Sequence, residues 1–192
     1  APYSEVGGLS QVAYFLSLAL LKKGIDIRIF TPKYGIIDQK KYPMADVVSG
    51  MQVPTGEPEG SDKPRELICN VKMFNEKKKT IPTVYFLENM EYYEQRANVY
   101  GYSDDHIRFG LLSRAALEFA HHKEFVPDII HSNDWHTGYV PNLMETIYKH
   151  SHISKITSLF SVHNLYQGTF DFDHASEMDF DDGQSALPAF FD

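Results

Sequence analysis

The chain has 192 residues, 43% of them hydrophobic, with 26 acidic against 18 basic residues and a formal net charge of -8. That length supports one sizeable core, so composition predicts a single globular domain over 1–192. The acidic balance argues against a nucleic-acid binder, no apolar run reaches the ~20 residues of a membrane span, and the lone Cys69 excludes an internal disulfide. The opening Ala1-Pro2-Tyr3-Ser4-Glu5 has neither the basic nor the apolar part of a signal peptide, and the expectation is a soluble, cytoplasmic protein.

In chain order, Ser4-Glu5-Val6-Gly7-Gly8-Leu9 leads into an amphipathic helix with apolar residues at Leu9, Val12, Ala13, Leu16 and Leu20. Lys22-Lys23-Gly24 stops it, and Ile25 to Thr31 follows as a strand that Pro32 ends. A helix opening on a glycine pair and returning to a strand predicts the second half of a βαβ unit whose first strand lies outside the sequence. Residues 34–64 read as a long loop with Val47 to Val53 as its best strand. Glu66 to Phe74 and Thr83 to Leu87 read as strands joined by a hairpin-like turn at Asn75-Glu76-Lys77.

Ser103 then predicts an N-cap, with Asp104 and Asp105 in the first turn of a largely buried helix carrying Ile107, Leu111, Leu112, Ala115, Leu117, Phe119 and Ala120. Arg108 and Arg114 in that helix can pair with acids or reach a ligand. The run Asp128-Ile129-Ile130-His131 reads as a parallel strand ending in Ser132-Asn133-Asp134-Trp135-His136-Thr137-Gly138. Tyr139 to Tyr148 reads as a helix, Lys155 to Val162 as a buried strand, and His163-Asn164-Leu165-Tyr166-Gln167-Gly168 follows at its carboxyl end. From there to Asp192 the chain is acidic and aromatic, an irregular excursion over the surface.

Two consecutive strands thus end in polar residues, and open α/β sheets place ligands at the carboxyl ends of their strands. His163, Asn164, Tyr166 and Gln167 offer donors and acceptors suited to sugar hydroxyls, Asp134 an acceptor, Trp135 a stacking face. The plainer alternative is a turn whose Asp134 caps the next helix and whose Trp135 fills the core. Gly7 and Gly8 allow close backbone approach at a helix N-terminus, which suits a phosphate, although a tight turn without a ligand explains the pair equally. None of the nine histidines falls in a His-Glu-x-x-His or Cys/His zinc pattern, so no metal is expected.

Val6-Gly7-Gly8-Leu9, Tyr102-Ser103-Asp104-Asp105, Asn133-Asp134-Trp135-His136-Thr137 and His163-Asn164-Leu165-Tyr166-Gln167-Gly168, each in order, resemble the motifs of bacterial glycogen synthases and plant starch synthases. The resemblance runs through Leu187-Pro188-Ala189-Phe190-Phe191. It implies an α/β fold with a Rossmann-like, mostly parallel sheet flanked by helices, the N-terminal half of a two-domain GT-B glycosyltransferase. The implied reaction moves glucose from ADP-glucose or UDP-glucose to the non-reducing end of an α-1,4-glucan, with retention and without a metal or other cofactor. A C-terminal nucleotide-sugar domain is the implied partner, and 1–192 alone is expected to be inactive.

By position, the resemblance assigns Gly7, Gly8, His163 and Asn164 to the donor. It assigns Tyr102, Asp134, Trp135, His136, Tyr166 and Gln167 to the sugar and acceptor, with His163 and Asp134 nearest the chemistry. Glu5 stands where the family motif usually has lysine, and the last motif is one residue shorter than usual. A glucan-binding relative without transferase activity, and a retaining enzyme of the sucrose- or trehalose-synthase type, remain alternatives.

Overall fold

A computed structural model describes residues 2–4, 7–74, 80–122 and 125–163. Where composition predicts one domain, the chain divides into two compact units, Ala1–Met51 with Ile68–Gly101 and Gln52–Leu67 with the chain from Tyr102 onward.

The first unit carries α1 (Gly7–Lys22), the strands β1 (Arg28–Pro32) and β4 (Thr83–Glu88) and most of β2 (Ala45–Pro54) and β3 (Glu66–Phe74), the strands being ordered β1-β4-β3-β2 in one sheet. β4 lies between β1, which it pairs in parallel, and β3, which it pairs antiparallel. Its four inner residues, Val84 to Leu87, are all buried, as expected of a strand with neighbours on both edges. The β3–β4 pairing fulfils the hairpin expectation, while its turn at 75–79 lies outside the described residues.

Two expectations for this unit need correction. β1 starts at Arg28 and not at Ile25, because its ladder is set by β4, with Arg28 opposite Thr83 and Pro32 opposite Leu87. The apolar stripe of α1 is mostly exposed: Val12 and Leu16 each show 39% of their surface and only Ser17 is buried. Periodicity marks a face that can be buried; it does not say what covers it.

The second unit carries α2 (Asp105–His121), β5 (Ile129–Asn133), α3 (Tyr139–Glu145) and β6 (Thr157–Ser161), with short 3-10 turns at Trp135–Thr137 and His152–Lys155. α2 is buried on nearly every side, as its sequence predicts. Its Leu117 and Ala120 join Val140, Leu143, Met144, Tyr148, Ile153 and Ile156 in one core. The N-cap is Asp104 rather than Ser103, and no side-chain capping hydrogen bond is made there; the Asp105 carboxylate instead accepts the Tyr102 backbone N–H at 3.1 Å.

β5 and β6 pair in parallel, Ile129 opposite Thr157 through Asn133 opposite Ser161. This register draws Ser132 and Asn133 into β5, two residues past the expected strand end. β6 was expected to be buried, but its first four residues are exposed. Among the described residues it has a strand neighbour on one edge only, so its apolar run reports a capacity for burial that one neighbour does not fill. α3 ends at Glu145, short of Tyr148.

Candidate functional site

The parallel register of β5 and β6 sets their carboxyl ends side by side, and the two polar segments singled out in the sequence meet there. Asp134 follows β5 directly, its N–H donating to the Ser161 carbonyl at 2.9 Å. Its backbone has φ 55 and ψ -177, and it is the one non-glycine residue with positive φ among the described residues. This region is nearly confined to glycine, and a side chain there costs about 1–3 kcal/mol.

The carboxylate of Asp134 does not cap the following turn, as the plainer reading required. Asp134 is 4% exposed, and its Oδ1 accepts the backbone N–H of His163, the second residue past β6, at 2.5 Å. The strained backbone thus aims a buried carboxylate across the strand ends at the other motif. His163 is exposed, and its ring Nε2 lies 2.9 Å from Asn133 Oδ1.

His131, one pleat back on β5, sits 2.8 Å from Ser161 Oγ through Nε2; burial, then the charge of His163, hold it below its ordinary pKa. Asn133 closes a tight turn with Thr137, whose Oγ1 accepts the Asn133 N–H at 2.6 Å and donates to the Asn133 carbonyl at 2.9 Å.

Trp135 and His136 stack on each other with ring centres 4.0 Å apart, and both meet the edge or face of Phe109 on α2, at 4.9 and 4.7 Å. Burial pushes the His136 imidazole down to about 4, against smaller opposing effects of Asp134 and Asp105, so it is neutral near pH 7. Both are partly buried, which leaves each a limited face for a ligand.

Tyr102 is held from behind. Arg108 is fully buried and binds Asp105 at 2.5 Å, and its guanidinium lies 4.9 Å from the Tyr102 ring centre, within cation–π range. Of the residues expected to bind sugar or acceptor, Tyr102, Asp134, Trp135 and His136 therefore belong to the second unit, as does His163. Asn164, Tyr166 and Gln167 lie outside the described residues.

Gly7 and Gly8 open α1 in the first unit. Gly7 has φ 68, which favours glycine on backbone grounds, while a Cβ on Gly8 would meet nothing within 4 Å. The first turn of α1 carries no acidic residue.

Sequence reasoning placed Asp105 only in a helix turn and Asn133 only in a motif, gave Phe109 no place, and missed their contacts with the site residues. It also missed a buried ion cluster in the first unit. Lys33, after β1, bridges Glu88 at 2.9 Å and Glu94 at 2.8 Å, near the carboxyl ends of the parallel pair β1 and β4. These residues are far apart in sequence, and only the strand register brings them together. Among the described residues no group of three His, Cys, Asp or Glu side chains is placed to hold a metal ion, and no helix is long and apolar enough to cross a membrane.

Parallel strands that deliver histidine, aspartate and asparagine to adjacent carboxyl ends define an α/β protein with a candidate strand-end site. The family model described as starch synthase catalytic domain matches residues 1–191, and the chain belongs to that family. It is 41% identical over 171 residues to the glycogen synthase of Caldicellulosiruptor saccharolyticus, covering 88% of this chain and 34% of that protein. With the glycogen synthase of Alkaliphilus metalliredigens it shares 35% identity over 190 residues, 95% of this chain and 38% of that one. The fold resembles the catalytic domain of starch synthase IV from Arabidopsis thaliana, solved bound to ADP and acarbose. The TM-score is 0.72 at 27% identity, over 85% of this chain and 32% of that one. The chain thus spans about a third of the length of these relatives.

Proposed function

We propose that the whole protein is a retaining glucan synthase, and that 1–192 is the N-terminal, acceptor-side domain of its GT-B fold. It transfers glucose from ADP-glucose, or UDP-glucose, to the non-reducing end of an α-1,4-glucan in the cytoplasm. A C-terminal domain supplies the nucleotide pocket. Membership of the starch synthase family supports this reading, as does a structural relative bound to ADP and acarbose. The observation that carries it is Asp134, a buried carboxylate on a strained backbone that clamps His163 across two strand ends. Strain of this kind persists only where surrounding structure enforces it, and it clusters at working sites.

In this reading His163 binds the transferred glucose, with its backbone carbonyl near the reacting carbon, and Asp134 holds that backbone in place. Asn164 assists at the donor. Gly7 and Gly8, at the N-terminus of α1, serve the donor phosphates through free N–H groups and the helix dipole. Tyr102, Trp135, His136, Tyr166 and Gln167 serve the sugar and acceptor. The diphosphate leaves from the face on which the acceptor hydroxyl attacks, so positioned neutral groups and fixed dipoles stabilise the transition state.

The test is product analysis with the whole protein, either nucleotide sugar and a maltooligosaccharide. Extension by α-1,4-linked glucose with release of nucleoside diphosphate is expected. β-Linked product, or binding of the oligosaccharide without extension from either donor, contradicts the reading.

A further inference from the structure

We propose that Asn133 is a positioning residue that fixes the His163 proton on Nε2 and leaves Nδ1 as the ring nitrogen that meets substrate. The proposal rests on the reading of His163 as a sugar-binding residue. Its basis is the orientation of one amide. Asn133 Nδ2 donates to the His131 backbone carbonyl at 3.3 Å, and a carbonyl can only accept. The other end of the amide, Oδ1, is therefore the atom 2.9 Å from His163 Nε2, and it too can only accept. A hydrogen bond between them requires the proton on Nε2, whether the ring is neutral or charged.

Asn133 can impose this because it is itself held. It ends the β5 ladder opposite Ser161, and its backbone is closed onto Thr137 Oγ1 from both its N–H and its carbonyl. His163 is gripped a second time, independently, by Asp134 Oδ1 at its backbone N–H. One contact fixes where the residue stands and the other how its ring is turned and protonated. Among the described residues, the titratable and charged groups that face His163 are His131, on the same strand as Asn133, and Asp134.

The experiment compares the dependence of kcat on pH, over about pH 5 to 8, for the whole wild-type protein and its Asn133→Ala, Asn133→Asp and His163→Ala variants. Asn133→Ala is expected to lower kcat about tenfold, with a smaller change in the donor KM, because ring geometry and not donor affinity is lost. Asn133→Asp keeps an acceptor facing Nε2 and adds a negative charge that favours the imidazolium. Its kcat is expected to recover at the alkaline end, while the acid limb moves upward by roughly one pH unit. A merely structural asparagine would leave the acid limb where it is.

Loss of transfer in His163→Ala together with wild-type kcat and pH profile in Asn133→Ala would overturn the proposal and leave the reading of His163 standing. Transfer that survives His163→Ala overturns both. Should Asn133→Ala not fold, an unmoved acid limb in Asn133→Asp is sufficient to reject the role of Asn133.

Discussion

At the scale of single residues, Asp134 separates backbone strain from chemistry. Asp134→Ala keeps a side chain at φ 55 and removes the acceptor of the His163 N–H; Asp134→Gly removes the same acceptor but relaxes the backbone. Thermal or urea melts are expected to show the glycine variant more stable than the alanine variant by about 1 kcal/mol, with neither supporting transfer. Equal stabilities would mean that the strain is not real. Gly8 divides the same two properties in another way. A Cβ there meets nothing within 4 Å, so Gly8→Ala is expected to hold or raise stability by up to about 1 kcal/mol while weakening donor use, measured as a higher donor KM. Unchanged donor kinetics would remove Gly8 from the donor site. Gly35 is the contrasting case: its Cβ would come 2.1 Å from the Glu94 carbonyl oxygen, and Gly35→Ala is expected to destabilise by about 1–3 kcal/mol.

At the scale of elements, the Lys33 cluster ties the residue after β1 to the end of β4 and to the π-turn at Met90–Glu94. Burial raises the Glu88 pKa, but the Lys33 and Asn70 hydrogen bonds outweigh it and hold the carboxyl below its ordinary 4.5. A depressed carboxylate gives stability that is present above its unfolded value and is lost as pH falls through its folded one. For Lys33, burial is likewise outweighed by Glu94 and Glu88, which leaves its pKa above 10.5 and its contribution intact until pH rises beyond that. Lys33→Met is expected to cost about 3 kcal/mol near neutral pH, since it removes the lysine that bridges Glu94 and Glu88 and leaves Glu88 only Asn70 and the more distant Lys72. The penalty should shrink below pH 4.5 as Glu88 takes up a proton, and urea melts at neutral pH and below 4.5 check this. His136 also loses its contribution as pH falls, over a higher range. Its folded pKa of about 4 against an ordinary 6.5 means that the unfolded chain binds the proton first, so stability is full above 6.5 and falls between 6.5 and 4. A His136→Phe variant is expected to flatten that part of the profile; an unchanged slope would show that His136 does not titrate as a buried neutral ring.

What the sequence made legible at this scale was local. The buried helix α2, the β3–β4 hairpin and the polar ends of β5 and β6 follow from periodicity and turn residues. The exposure of β6 and α1, the two extra residues of β5 and the pairing of Lys33 with Glu88 and Glu94 depend on partners elsewhere in the chain, which spacing cannot report.

For the whole molecule, the family was legible because four motifs occur in order over nearly the full length, and the match over residues 1–191 bears that out. Asn133 was visible inside one of those motifs, yet its tie to His163 appears only when the strands pair. The chain accounts for about a third of its relatives' length, and activity is proposed for the whole protein. The most direct test is transfer of labelled glucose from ADP-glucose and from UDP-glucose to a maltooligosaccharide by that protein, beside its His163→Ala and Asp134→Gly variants. Transfer by the wild type that falls by about a hundredfold or more in both folded variants is the expected result, and it also names the donor. Undiminished transfer by either variant, or none from either donor by a folded wild type that still binds the oligosaccharide, would contradict a glucan synthase built on these strand ends.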